Sequence, residues 1–306
     1  MKRTGKIPMM LLQAMAFIFL MTVFHTVSAQ KNHFSLVKEL PKKLKEISGL
    51  AKDGNGLWSI IDSKDGDIYK LDLSGKIIQQ IHLTNYKLKD VEAVTADRNY
   101  VYVGDIGDNN GTRKDRTIIR IRKSSMDNKE YITTEGEAIH FTFPDEERVK
   151  KKKSNNFDCE ALISYKDSLF VFTKRRDDMK TGLYALPKQP GTFSARNIAV
   201  FKAKGLITDA SVNQKENEVA LIGYDQGHTR AFIWILSNFK GNDFFSGNFK
   251  RYELTNQKKL DWQLESITYK DDNSFFIACE KSKDLANTLY IIDKDNLIPS
   301  RKGDSK

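Results

Sequence analysis

The sequence predicts an all-β protein, a single β-propeller built from four-stranded blades. Three observations predict this fold: one short phrase recurs five times, each copy opens a series of strand-like runs, and helical periodicity is nearly absent from the 306 residues. The runs are short and rich in β-branched and aromatic residues, and Gly, Asp, Asn and Ser separate them, as is typical of antiparallel meanders. Four such strands repeated along a chain are the pattern of a propeller blade.

The phrase begins the first strand, a, of each repeat. In the first repeat, strand a covers residues 47–51, strand b 57–61, strand c 68–73 and strand d 76–83. Later repeats keep this order, except that the fifth has no strand d of its own. The five copies of the phrase are Glu46–Leu50, Asp90–Val94, Asp158–Leu162, Thr208–Val212 and Gln263–Ile267.

A spare strand at Phe34–Glu39 precedes the first repeat. It can complete the fifth blade and close the ring, which removes an open sheet edge that would invite aggregation. We therefore expect five blades. Six is the alternative, because the long segment 122–156 could contain further strands. Within it, the charged stretch Asp145–Asn156, with a lysine run at 150–153, predicts an exposed loop, or alternatively a docking patch for an anionic partner.

The first residues have the three-part pattern of a secretory signal. Met1–Lys6 is positively charged, Met9–Phe24 is mostly apolar, and Val27–Ala29 supplies small residues for cleavage. The apolar run is shorter than the roughly 20 residues that cross a bilayer, and no later stretch is apolar enough to cross one. We therefore expect an exported protein, periplasmic or secreted, without a transmembrane span after cleavage and monomeric. The predicted organisation is a signal peptide over 1–29, a propeller domain over 30–297 and a flexible tail over 298–306.

The formal net charge is +10 for the whole chain and +7 once Lys2, Arg3 and Lys6 leave with the signal, which suggests anionic surroundings for an exported protein, such as lipid headgroups, acidic glycans or phosphates. An anionic small molecule or a component of the cell envelope is thus the expected partner. Nucleic acid is not expected, since the sequence has no zinc-finger or recognition-helix pattern. Cys159 and Cys279 could form a disulfide in an oxidising compartment or remain two buried free thiols.

Strand a is the innermost strand of a blade, so the phrase places acidic side chains beside the central channel. The loops that enter strand a and those that join strands b and c lie on the same face. The first phrase positions contribute Glu46, Asp90 and Asp158 to this face, and the ends of strand b contribute Asp62, Asp105, Asp108, Lys174, Arg175 and Glu280. The third phrase positions are Ser48, Glu92, Glu160, Ala210 and Glu265, and Asp209 is at the second position of the fourth phrase.

Carboxylates held close together raise one another's pKa unless a cation intervenes. Carboxylate and hydroxyl oxygens suit Ca²⁺, or Mg²⁺ with retained waters. The sequence therefore predicts a divalent cation, Ca²⁺ first with Mg²⁺ as the alternative, in the channel mouth. The alternative is a water-filled channel whose acids are neutralised by Lys174, Arg175 and Lys281. The predicted metal ligands are Glu92, Glu160, Glu265, Ser48 and Asp209.

Three residues are candidates for catalysis: Glu160, Arg175 and Asp105. Arg175 could grip a phosphate or carboxylate in bidentate fashion, or pair internally with Asp177 or Asp178. Asp105 opens a polar loop in which the ligand pattern of an EF-hand fails.

Nucleophilic catalysis has little support. The sequence has no Gly-x-Ser-x-Gly, and His228 is the one histidine expected to reach the shared face.

Several runs resemble known exported propellers. Glu46–Leu50, Leu57–Asp62, Asp67–Gly75 and Asp90–Val94 resemble the SdiA-regulated-type propellers. Val103–Asn109, Asp158–Leu162 and Phe172–Arg175 resemble a group of uncharacterised secreted bacterial propellers.

These resemblances imply a propeller with a central cation site, which would fall on Glu92, Glu160 and Glu265. The fourth phrase departs from the pattern, with Ala210 in place of Glu. A more distant likeness is to the five-bladed calcium-activated nucleotidase, which also repeats a Glu-containing inner-strand phrase.

Two functions follow as hypotheses. The first is a binding or scaffold propeller of the cell envelope that holds Ca²⁺. The alternative is a metal-dependent hydrolase of phosphate esters, nucleotides or lactones, in which the cation would polarise the substrate and activate water. In that enzyme Arg175 would hold an anionic group and Glu160 would act as the base.

Overall fold

The computed structural model describes residues 34–62, 67–146, 155–227, 230–254, 262–283 and 285–300. The predicted signal peptide, the lysine run at 150–153 and His228 lie outside these residues. Asn32–Lys306 form one compact unit. Its described helical turns are short 3-10 turns, and none of the described helices is long and apolar enough to cross a membrane. The 3-10 turns are Lys42–Leu44, Lys123–Ser125 and Lys294–Asn296.

The strands follow one another in the order that the repeats predict. The chain opens with β1 (Ser35–Glu39) and continues through the first two repeats with β2 (Ile47–Asp53), β3 (Gly56–Ile61), β4 (Asp67–Asp72), β5 (Ile77–Leu83), β6 (Val91–Ala96), β7 (Tyr100–Asp105), β8 (Arg116–Arg122), β9 (Tyr131–Thr134) and β10 (Glu137–Thr142). The remaining repeats supply β11 (Cys159–Tyr165), β12 (Ser168–Thr173), β13 (Thr181–Pro187), β14 (Gly191–Ser194), β15 (Arg196–Phe201), β16 (Leu206–Asn213), β17 (Glu218–Tyr224), β18 (Ala231–Ser237), β19 (Asn248–Leu254), β20 (Leu264–Asp271), β21 (Ser274–Cys279), β22 (Thr288–Asp293) and β23 (Ile298–Pro299).

These strands form five blades in a ring, which confirms the predicted fold and blade number. The first four blades start at β2, β6, β11 and β16, and each runs outward through four antiparallel strands in chain order, with β9 skipped in blade 2 and β14 skipped in blade 3. The fifth blade has the order β20, β21, β22 and β1, so the N-terminal strand completes it as predicted. The inner strands contact one another in the order β2, β6, β11, β16, β20 and back to β2, which closes the ring around one axis.

Three blades carry an additional outer strand. β9 pairs in parallel with β5 of blade 1, and β14 pairs in parallel with β10 of blade 2. β23 pairs with β19 of blade 4. The segment 122–156 thus contains an extra strand, as the six-blade alternative supposed, but this strand joins an existing blade. The predicted boundary at residue 297 falls directly before β23, so the first residues of the predicted tail pair with a sheet.

Every inner strand has a β-bulge at the same place, where it pairs with the second strand of its blade. The register shifts fall between Ile47 and Gly49 and at the equivalent point of the other inner strands. The bulged residues are therefore equivalent, and they are Ser48, Glu92, Glu160, Thr208 and Glu265. The fourth phrase was aligned two residues too late, so Thr208, and not Ala210, belongs to this set. A bulge leaves one residue without a cross-strand partner and redirects its side chain.

The core lies between the blades, in five apolar clusters that each join one pair of neighbours. Cys159 lies in the cluster between blades 2 and 3, whereas Cys279 lies between blades 4 and 5. Both thiols are buried and no disulfide joins them, which decides the cysteine alternatives in favour of two thiols.

Hydroxyl groups connect the inner strands at the face opposite the acidic phrases. Thr95 Oγ1 accepts a hydrogen bond from the backbone N–H of Ser164 at 3.2 Å. Thr268 Oγ1 accepts from the N–H of Lys52 at 3.0 Å. Because these amides point across a blade junction and not into a sheet, the hydroxyls satisfy donors that would otherwise be buried without a partner.

Removal of β1 tests its role in ring closure. A chain that lacks residues up to Glu39 exposes the edge of β22 and loses the contacts of Val37 with the core between blades 5 and 1. We expect the free energy of unfolding to fall by several kcal/mol, or roughly 10 °C in Tm. The matched control ends the chain at Leu297, which removes only β23 and should cost less than about 1–2 kcal/mol. Equal losses in the two truncations, measured by thermal unfolding, would contradict this role.

Candidate functional site

A cavity of about 210 Å³ lies at the end of the channel where the inner strands begin, and all five blades contribute to its wall. We call it the axial cavity. Its lining residues are Glu46, Ile47, Ser48, Asp62, Glu92, Asn109, Glu160, Lys174, Arg176, Tyr224, Glu265 and Glu280.

Two backbone features aim side chains into the axial cavity. The first is the bulge of each inner strand, which presents Ser48, Glu92, Glu160 and Glu265. The second is a hydrogen bond by which the residue after the second strand donates its N–H to the carbonyl of the first phrase residue. Asp62, Lys174 and Glu280 are held in this way, at N···O distances of 2.9, 2.7 and 3.0 Å.

Three carboxylates converge at one side of the axial cavity: Asp62 and Glu92 line it, and Asp90 lies next to them without lining it. One oxygen each of Asp62, Asp90 and Glu92 lies within 4.8 Å of the others. We call these residues the carboxylate triad. Ser48 Oγ donates a hydrogen bond to Glu92 Oε2 at 2.8 Å, and the side chains of Asp90 and Glu92 are themselves hydrogen-bonded. Two carboxyl groups in such contact must share a proton or a cation.

The triad is electrostatically crowded. Burial, followed by the charges of Asp62 and Asp158, raises the pKa of Asp90 to about 6. Burial and the neighbouring carboxylates, first that of Glu160, raise the pKa of Glu92 well above its usual range. All the main charged neighbours of Glu92 are therefore acids.

Lys174 occupies the opposite wall. Lys174 is 5 % exposed, and its ammonium binds Glu160 Oε2 and donates to Tyr224 Oη at 2.9 Å. Tyr224 Oη in turn donates to Glu265 Oε1 at 3.2 Å. Burial disfavours the ammonium, but Glu160, Tyr224, Glu265 and Asp158 together outweigh burial, so the pKa of Lys174 lies well above its usual range. Burial raises the pKa of Glu160 to about 8, against the opposing effect of Lys174.

The predicted ligands thus divide into separate groups. Ser48, Glu92, Glu160 and Glu265 all line the axial cavity, but Glu160 binds Lys174 directly and Glu265 is linked to it through Tyr224. The converging oxygens belong to Glu92 with Asp62 and Asp90.

Asp209 does not line the axial cavity. Its fully buried carboxylate accepts hydrogen bonds from the N–H groups of Ile267 and Ala210, both at 2.8 Å. The backbone of Leu50 donates a further bond. Asp209 therefore connects the inner strands of blades 4, 5 and 1, and this contact explains its position without a metal.

Arg175 is engaged away from the axial cavity. Its guanidinium binds both oxygens of Asp178, at 2.9 and 2.7 Å, which is the internal pairing that the sequence left open. The next residue, Arg176, lines the cavity instead. It binds Asp158 Oδ2, and its Nη2 lies 3.7 Å from Glu160 Oε1.

Asp105 and Asp108 stabilise the loop that follows β7. Asp105 pairs with Arg113 at 2.7 Å and accepts from the N–H of Asp90 at 2.9 Å. Asp108 accepts from the N–H of Thr112 at 2.9 Å and pairs with Arg116 at 2.8 Å. Neither lines the axial cavity, so the expected role of Asp105 in catalysis has no geometric support.

Sequence reasoning placed Asp62, Asp90 and Glu280 on this face but not among the ligands. It did not assign Arg176 or Tyr224 to the cavity. The position directly after the second strand, which in blades 1, 3 and 5 makes the same backbone bond to the phrase, was the available signal for Asp62 and Glu280. No local pattern pointed to Arg176 or Tyr224.

No protein-family model matches the chain, and no curated protein sequence is significantly similar to it. Among solved structures, the PQQ-bound form of aldose sugar dehydrogenase from Streptomyces coelicolor is similar over 86 % of this chain and 98 % of that chain, with 10 % identity and a TM-score of 0.49. The WD40 β-propeller domain of Doa1 is similar over 89 % of this chain and 98 % of that chain, with 10 % identity and a TM-score of 0.43. These likenesses concern the fold alone, and the five-bladed ring follows from the strand order described above.

Substitution of Asp209 tests its structural role. Asp209→Ala leaves buried amides without an acceptor, so we expect a loss of about 2–4 kcal/mol in the free energy of unfolding. Asp209→Asn keeps one acceptor oxygen, so its loss in the free energy of unfolding should be clearly smaller than that of Asp209→Ala. Chemical denaturation of both variants measures the difference. A wild-type stability for Asp209→Ala would contradict the assignment.

The raised pKa values of the cavity acids also predict that the free energy of unfolding depends on pH. Burial, together with the charges of Glu265 and Glu46, raises the pKa of Glu280 to about 7. The folded state therefore binds this proton more tightly than the unfolded state, and stability falls as the pH rises from the ordinary Glu pKa, about 4.5, to about 7. We expect Glu280→Gln to flatten this slope in urea unfolding with a chelator present. The exposed control Glu135→Gln should retain it, and identical slopes in the two variants would contradict the prediction.

Proposed function

We propose that the protein is an exported binding propeller of the cell envelope that holds a divalent cation, Ca²⁺ first, in the axial cavity. The convergence of the carboxylate triad carries this proposal. The predicted signal peptide and the resemblance to SdiA-regulated-type and other secreted propellers support the location.

The oxygen-rich environment of the triad favours a hard cation. Three carboxylates and the nearby Ser48 hydroxyl offer the ligand type that Ca²⁺ prefers, with waters completing 6–8 positions. On the other wall Lys174 already neutralises Glu160 directly and Glu265 through Tyr224. The charge that acts on Glu92 comes chiefly from other acids, and a cation would relieve it.

The same cavity offers a place for an anionic ligand. A Ca²⁺ ion held by three carboxylates has further coordination positions, and a ligand oxygen can take one of these in place of water. Arg176 lines the cavity and is 22 % exposed in its side chain, so it could contact the same ligand group. Without the predicted signal peptide, which contributes Lys2, Arg3 and Lys6, the net charge falls from +10 to +7, and this charge would draw anionic partners to the surface.

A metal-dependent hydrolase of phosphate esters, nucleotides or lactones is the second candidate. Glu280, whose pKa of about 7 suits proton transfer near neutrality, is the observation that favours it. Glu280 would replace Glu160 as the expected base, since Glu160 is bound to Lys174. Arg176 would replace Arg175 as the residue that holds the anionic group.

Calcium titration tests the cation site. We expect calorimetry to detect binding and the wild type to gain about 2.7 kcal/mol of stability at a hundredfold excess over Kd. The double variant Asp90→Asn, Glu92→Gln should lose both effects. Glu265→Gln is the matched control, because it removes a cavity acid outside the triad and should keep calcium binding. A wild type that neither binds nor is stabilised by Ca²⁺ would disprove the proposal.

A panel of phosphate esters and lactones separates the two candidate functions. Turnover that is lost with a chelator and with Glu280→Gln would establish the hydrolase. Absence of turnover across the panel, together with calcium binding, would favour the binding protein.

A further inference from the structure

Blade 2 departs from the pattern that blades 1, 3 and 5 follow at the cavity wall. In those blades the residue directly after the second strand, Asp62, Lys174 or Glu280, donates its N–H to the carbonyl of the first phrase residue. In blade 2 this bond comes one residue later, because Ile106 follows β7 and Gly107 donates to the carbonyl of Asp90 at 3.1 Å. The donor of this bond in blade 2 therefore carries no side chain.

The space that a side chain would take at Gly107 is filled by the triad. A Cβ atom there would lie 2.6 Å from Cγ and Oδ2 of Asp90 and 2.7 Å from Cγ of Glu92. These distances are well inside van der Waals contact. Gly107 does not have the positive φ that requires glycine, so its missing side chain is explained by space and not by backbone conformation.

The backbone around Gly107 is fixed and could not move aside to admit a side chain. The Gly107 carbonyl accepts from Arg113 Nη1 at 3.0 Å. The next N–H, of Asp108, donates to Asp158 Oδ1 at 2.7 Å, and the Asp108 carbonyl accepts from Asn155 Nδ2. An added methyl group must therefore displace the carboxylates of Asp90 and Glu92.

From these contacts we infer that Gly107 is the positioning residue of the carboxylate triad, setting the separation of Asp90 and Glu92 and with it the affinity for the cation. This inference rests on the proposed calcium site. Gly107 itself would offer no side-chain ligand. It acts by leaving room for the carboxylates of Asp90 and Glu92, which pack against it.

Gly107→Ala tests the inference. Substitution of residues that orient metal ligands typically weakens metal affinity by about 10–100-fold. We therefore expect the calcium affinity, measured by calorimetry, to fall at least about tenfold. Gly56→Ala is the matched control, because Gly56 also lacks a positive φ and a Cβ there would meet only Leu71 O and the flexible Lys70 side chain. It should bind Ca²⁺ as the wild type does.

A double-mutant cycle separates positioning from general damage to the fold. Glu92→Ala removes the Cγ atom that the new methyl group would strike. If Gly107 acts by position, Glu92→Ala should cost less affinity in the Gly107→Ala background than in the wild type. Equal calcium affinity of Gly107→Ala and wild type, or additive effects in the cycle, would overturn the inference while leaving the calcium site intact. A wild type without calcium binding would instead remove the site on which the inference depends.

Discussion

Like charges crowded around a single axis are the constraint on which this structure depends. Five inner strands approach one another closely enough to contact in a ring, so any acid on their bulges shares a small volume with acids from other blades. Burial of a carboxylate is tolerated only with a partner. The chain meets this requirement in different ways around the ring: with Lys174 beside Glu160, with backbone amides around Asp209, and, as we propose, with a cation beside Glu92.

The fold could be predicted from the sequence because its signals are local and repeated. Strand-length runs, turn residues and a recurring phrase fixed the blade number, and the spare strand before the first repeat indicated how the ring closes. The additional strands were harder to predict. β9 and β14 are four residues each and pair in parallel with a neighbouring blade, a long-range choice that no local pattern encodes.

The site was predicted at the level of its face and not of its contacts. Glu92, Glu160 and Glu265 do reach one cavity, because equivalent bulges aim them there. Which acids converge depends on the residue after the second strand, and that residue is Asp62 in one blade and Lys174 in another. The fourth phrase was misaligned since Thr208 lacks the acid that marks the other copies. Arg175 and Arg176 could not be distinguished without knowing how the loop after β12 turns.

The exchange of outer strands has a consequence for how this protein can evolve. β9 follows the third strand of blade 2 in the chain but completes the edge of blade 1, and β14 follows the third strand of blade 3 but completes the edge of blade 2. A gene segment that encodes one repeat therefore does not encode one self-contained module. Deletion of the second or third repeat alone would remove the outer strand of the preceding blade, which makes loss of a blade in this region a costly step.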